Sequence, residues 1–253
     1  MGIHVVHGFI VGCNVSKLTE RQIHNCLLDS YAAINIKHHL DKTFIPDLRL
    51  WGRAENSING LIFDYSNLGV TIKRICDGSV MSNGLIVATD IEAFFTFARQ
   101  IFDQATIYYV SALATFNIET GFKDIHSYKT LKDKMTTQNF KEFNDSFVAL
   151  RDLRGLFTHR GKTPTIIGDK FFIDCALPPS LENLKTKLNI QKQDAHCEFP
   201  IETTIRYFSQ QMNGTLNELG KSLNEKLKPT MGNITCTTAI EGDIIPTLKP
   251  FLI

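Results

Sequence analysis

Apolar side chains recur at positions 91, 94, 95, 98, 101, 102, 105, 108, 109, 112 and 116, in steps of three and four residues. Only a 3.6-residue period keeps such a set on one side of a chain. The pattern predicts a helix from about 90 to 117. A strand would scatter the same residues over both of its faces. Thr89-Asp90-Ile91-Glu92 reads as a capping box before it, a hydroxyl followed three residues later by a carboxylate. Gly121 lies just past its end, where a left-handed stop is expected. A stripe of this length must be buried against other elements. The chain supplies them, being 253 residues long with 43% apolar and 21% charged side chains. That balance is ordinary for a globular domain able to bury a core without staples.

Two further helices follow on the C-terminal side. Residues 138–160 place Phe140, Phe143, Phe147, Leu150 and Leu153 or Arg154 along one side, with Gly161 as the stop and Pro164 beyond. Pro200 opens the last long helix, whose apolar residues fall at 201, 205, 208, 212, 216, 219, 223 and 227. This near-heptad stripe fits a bundle seam or a dimer seam. Pro229 is expected to end it, with 229–253 extended. A short helix is expected over 127–136. Thr165–Ile167 and Lys170–Asp174 flank Gly168-Asp169 and read as a β-hairpin.

The N-terminal part reads differently. Residues 3–12 read as a strand and 19–39 as a helix; 41–57, with Pro46, read as a loop. Leu61–Asp64, Val70–Cys76 and Leu85–Ala88 look like short strands separated by Asn67-Leu68-Gly69, Asp77-Gly78 and Asn83-Gly84. The expected fold class is therefore α+β: a small strand-containing module over 1–88, a mainly α-helical bundle over 89–228 with a hairpin insertion near 163–175, and a tail.

Charge is unevenly spread although the total is +1. Residues 121–192 carry 13 Lys/Arg and 8 Asp/Glu, giving +5, while the segments on either side each sum to −2. A locally basic face can bind phosphate, and it can equally be a solvated surface. Cysteines stand at 13, 26, 76, 175, 197 and 236 without a C-x-x-C pair. That spacing argues against a zinc ribbon and suits free thiols in a reducing compartment. With no basic, apolar leader and no run of eighteen apolar residues, the expected location is cytoplasmic and off the membrane. His38, His39 and Asp41 are the nearest approach to a metal set, but adjacent helical histidines diverge by about 100°.

The most informative stretch is Leu153-Arg154-Gly155-Leu156-Phe157-Thr158-His159-Arg160-Gly161, at the end of the 138–160 helix. An Arg and a His separated by four residues near the end of a bundle helix resemble the signature of the HEPN superfamily. The likeness covers about 89–228. It implies metal-independent, cofactor-free endoribonuclease chemistry, in a toxin or antiviral defence role. A ribose 2′-hydroxyl would attack the adjacent phosphate, with His159 moving the proton and Arg154 stabilising the phosphate's developing charge. Arg151, Asp152, Thr158 and Arg160 would contact substrate. The family often carries Asn, Asp or His directly after the Arg, where this chain has Gly155. The alternative is thus a catalytically silent module that binds RNA, a nucleotide or a protein partner. The resemblance also implies a homodimer and an antitoxin or regulatory protein as partner.

Overall fold

The computed structural model describes residues 26–76, 84–122, 124–133, 138–193 and 196–232. The strand expected over 3–12, the start of the 19–39 helix and residues 233–253 lie outside this set. Two long helices form an antiparallel hairpin: α2 (Leu48–Cys76) and α3 (Gly84–Thr115). Helix α1 (Cys26–Leu40) precedes them. After a 3₁₀ turn over Thr120–Phe122 come α4 (Tyr128–Lys132) and α5 (Gln138–Arg160). Strands β1 (Thr165–Ile167) and β2 (Lys170–Asp174) follow, then the short helices α6 (Pro179–Glu182) and α7 (Lys185–Leu188). Strands β3 (Gln191–Gln193) and β4 (His196–Pro200) lead into α8 (Ile201–Met231).

Helix α3 is the centre of the fold. It buries nineteen residues, among them Phe94, Phe95, Phe102, Tyr108 and Tyr109. A helix that is apolar on so much of its circumference must be surrounded, and α2, α5 and α8 all pack on it. The helix starts at Gly84, six residues before the expected start, so the Thr89 hydroxyl caps nothing. It donates instead to the Leu85 carbonyl within the helix, 3.0 Å away. At the other end Asn117, not Gly121, provides the left-handed stop, at φ 58°. Ile118 N–H reaches the Leu113 carbonyl at 2.8 Å and Asn117 N–H reaches Ala114 at 3.0 Å, the paired bonds of a Schellman motif.

The N-terminal reading is corrected. The runs expected as strands at 61–64, 70–76 and 85–88 are all helical, and most of the 41–57 loop belongs to α2. Asp47 caps α2, its Oδ1 accepting from the N–H groups of Arg49 and Leu50, each at 3.0 Å. Trp51, Ala54, Ile58, Leu61, Leu68, Ile72 and Ile75 then form one buried face. The boundary expected at 88/89 falls inside α3, and one continuous core runs from Leu27 to Met231. A strand-bearing N-terminal module is therefore absent among the described residues. Of the glycines that suggested turns, Gly69 lies within α2 and Gly84 opens α3, while Gly78 lies outside the described residues. An added Cβ at Gly60 would fall 2.9 Å from the Gln104 side chain, so α2 and α3 sit close there.

The hairpin over 165–174 is present and is half of a larger sheet. The strand order is β1-β2-β4-β3, antiparallel throughout. Phe171 and Phe199 are register partners on its buried face, their rings stacked 4.8 Å apart. The overall class is thus α+β dominated by helices. Helix α8 runs through Pro229 to Met231 rather than stopping before it. Its whole expected stripe, from Ile201 to Leu227, is buried inside the chain's own core. No part of that stripe is left over for a dimer seam.

Cys175 and Cys197 are free thiols, but Cys76 is held in a disulfide, which corrects the expectation of six unpaired cysteines. No helix among the described residues is long and apolar enough to cross a membrane.

Asp64 lies on the buried face of α2, and burial pushes its carboxyl up to about 6. The folded protein therefore holds this proton more tightly than the unfolded chain, whose Asp titrates near 4. Its contribution to stability is full below about pH 4 and is lost as the pH rises towards 6 and beyond. Asp64→Asn should raise stability at pH 7 by roughly 1–2 kcal/mol, after allowing for partial solvent screening. It should also flatten the stability profile between pH 4 and 6. Urea melts across that range give the slope; a slope equal to wild type would count against the assignment.

Candidate functional site at the end of helix α5

Helix α5 is one of three elements that meet at the core's aromatic centre. Phe147, Leu150, Leu153, Leu156 and Phe157 are buried. Phe157 contacts Phe95 of α3 at 5.7 Å between ring centroids, and Phe95 contacts Phe208 of α8 at 5.4 Å. These contacts hold the C-terminal end of α5 in place. The helix stops at Gly161, φ 59°, where Lys162 N–H turns back to the Leu156 carbonyl at 3.2 Å. Gly supplies this left-handed backbone without a Cβ clash.

Each predicted site residue can be located on this helix end. Arg154 is half-buried, and its Nε is fully buried with no hydrogen-bond acceptor among the described residues. His159 is exposed. Because α5 runs unbroken from Gln138 to Arg160, the two point about 140° apart around the axis and about 7.5 Å apart along it. One chain does not bring them together. Thr158 is exposed, but its hydroxyl donates to the Arg154 carbonyl at 3.1 Å and is used within the helix. Arg160 closes the helix, and its side chain lies outside the described set.

Arg151 and Asp152 form a small network of their own. Arg151 Nη2 donates to Asp152 Oδ1 at 3.0 Å, and Ser180 Oγ donates to Asp152 Oδ2 at 2.8 Å. The second bond ties α5 to α6. Ser180 had no signal in the sequence, because the bond spans 28 positions and joins elements unrelated in pattern. Asp152 and His159 share one stripe of α5, two turns apart, about 10 Å along the axis. Gly155 lies between them, and nothing stands within 4 Å of where its Cβ would be. The arrangement offers two things at one helix end: a guanidinium with an unused buried donor, and an exposed imidazole beside an open notch.

The two adjacent histidines, His38 and His39, sit in the last turn of α1 with ring centroids 6.3 Å apart. Among the described residues no group of three or more His, Cys, Asp or Glu is placed to hold a metal ion. Comparison with known proteins is silent on this site: no family model, no curated protein and no solved structure matches the chain.

Proposed function

We propose that this protein is a metal-independent endoribonuclease of HEPN type, acting through Arg154 and His159. The observation that carries the reading is the state of Arg154. Its Nε is buried without an acceptor among the described residues, a costly arrangement in a folded core. Arg154 as a whole is only half-buried, and a guanidinium fork matches phosphate geometry. His159, exposed just over one turn further on, is free to exchange a proton with solvent and substrate. The local charge of +5 over 121–192 favours an anionic partner. The reading is tested by cleavage of a labelled single-stranded RNA in the presence of EDTA.

The divergence of Arg154 and His159 makes the site incomplete in one chain, so the active species is a homodimer pairing two α5 ends. The apolar area for it lies beside α5. Strand β1 begins just after the helix and packs on the start of α3, where Ile166 Cβ is 3.5 Å from the position of a Gly84 Cβ. Leu85, Ile86 and Ile167 are exposed by 71%, 46% and 61% around that contact. A second copy covering them would set two helix ends side by side. Light scattering at micromolar concentration should show a dimer, and Ile167→Asp should convert it to a monomer with loss of cleavage. A wild-type monomer that cleaves RNA would refute the pairing.

A second reading is a catalytically silent module of the same architecture that binds RNA, a nucleotide or a regulatory protein. Gly155 favours it, since the position after Arg154 carries no polar group and no neighbouring side chain fills the space. Location in the cytoplasm belongs to the same proposal, and a toxin or defence role follows from the resemblance alone.

A further inference from the structure

We propose that the groove between the first half of α2 and the second half of α3 is a binding site for a nucleotide-sized phosphate ester, separate from the α5 site. The groove is open to solvent, has a volume of about 600 Å³, and counts Leu48, Arg49, Gly52, Arg53, Asn56, Gln104 and Ile107 among its lining residues. That volume falls within the range of small-molecule sites, about 300–1,000 Å³. Gln104 lies nine residues beyond Phe95, the α3 contact of the α5 end. The two places are therefore about 13 Å apart along α3.

The chemistry of the walls selects the ligand. Arg49 and Arg53 are one turn apart on α2 and face the same space. Arg53 is held in position: its Nη2 donates to the Ile125 carbonyl at 3.1 Å and lies 2.7 Å from His126 Nδ1. Arg49 is exposed, and no side-chain ion pair engages it among the described residues. The neighbouring carboxylates are mostly committed elsewhere. Asp47 caps α2, Asp103 is ion-paired with Arg99 and accepts from Tyr128 N–H, and Glu55 accepts from the Tyr31 hydroxyl. Asp124 is exposed on the loop that carries His126. Two guanidinium groups thus line one groove, a pairing that suits a phosphate group.

The floor suits the rest of a nucleotide. No atom stands within 4 Å of a Cβ added at Gly52, so a ligand can approach bare backbone there. The amides of Asn56 and Gln104 each present a donor and an acceptor, the complement of a base edge. Leu48, 68% exposed, and Ile107 supply apolar surface for the base or ribose. A polyanion would not need the amides and the apolar wall; a neutral ligand would leave the two guanidinium groups unused.

Isothermal titration calorimetry on the full-length protein tests the assignment, with adenosine monophosphate, adenosine and inorganic phosphate in parallel. Adenosine monophosphate should bind saturably below about 1 mM, more tightly than either fragment. Arg49→Ala should weaken it by about tenfold or more, the loss of one charge-assisted contact. Gly52→Leu should fill the floor and abolish binding. Leucine is the better helix former, so the melting temperature of that variant should not fall, which separates a blocked groove from a damaged fold. His159→Ala should bind adenosine monophosphate like wild type. The proposal is overturned by no saturable binding to wild type, by undiminished binding in Gly52→Leu, or by adenosine or phosphate alone binding as tightly as the nucleotide. Loss of RNA cleavage has no bearing on it.

Discussion

His159→Ala should lower RNA cleavage by ~10²–10⁴-fold, the usual size of a lost general acid–base group. Arg154→Ala should cost a comparable factor, because removing one preorganised donor to a developing charge costs ~10²–10³-fold. The assay compares wild type, both variants and EDTA-treated wild type on one labelled single-stranded RNA. Wild-type activity should persist in EDTA, since the proposed groups are a guanidinium and an imidazole. The 5′ product should end in a 2′,3′-cyclic phosphate, the outcome of attack by the neighbouring hydroxyl. A DNA strand of the same sequence lacks that hydroxyl and should remain intact. His159 is exposed, so its variant should melt like wild type. Arg154 is half-buried, and its Nε has no acceptor among the described residues, so its removal should leave stability equal or slightly higher. Equal cleavage by wild type and both variants would point to a contaminant or another site. Absence of cleavage by a folded wild-type dimer would transfer the reading to the silent binding module, with Gly155 as its structural mark.

Phe95→Ala should be the most damaging single change to the fold. Its ring is fully buried and lies 5.2 Å from Phe94, 5.7 Å from Phe157 and 5.4 Å from Phe208, measured between centroids. It therefore joins α3 to both α5 and α8. Truncation of a buried phenylalanine costs about 3–5 kcal/mol through lost transfer energy and the cavity left behind. Native domains hold only about 5–15 kcal/mol in reserve. Urea denaturation should show a large drop in midpoint. Phe63→Ala provides the contrast: that ring is 65% exposed, and its loss should stay within about 0.5 kcal/mol. The contact with Phe157 adds a second expectation. Below its unfolding transition, Phe95→Ala should cleave RNA more weakly than wild type, because the α5 end is no longer pinned. A loss below about 1 kcal/mol would mean that the three helices do not share this aromatic centre.

The long helices on the C-terminal side were legible in the sequence because their apolar residues recur at one unambiguous period. The stripes of α3 and α8 appear in the structure as buried faces, as do Phe147, Leu150 and Leu153 of α5, and the Gly161 stop and the 165–174 hairpin are present. Helix α2 was not legible. Gly52, Gly60 and Gly69, with Asn56, Asn59 and Asn67, break its pattern and mimic turns. Local preference of that kind is worth at most about 1 kcal/mol per residue, which burial of one face of a helix this long overrides. With α2 unread, the groove it forms with α3 was hidden too, since Arg49 and Arg53 stood in what looked like a loop.

By itself the sequence determined which residues share a helical face and where Arg154 and His159 fall on theirs, because periodicity and spacing are local properties of the chain. Only the tertiary structure decided what each face meets. It spent the α8 stripe inside one chain, closed α3 with Asn117, joined Asp152 to Ser180, and buried Arg154 Nε with no acceptor among the described residues. These outcomes depend on contacts between residues distant in sequence, and the packing that sets them has no periodic signature in either partner alone.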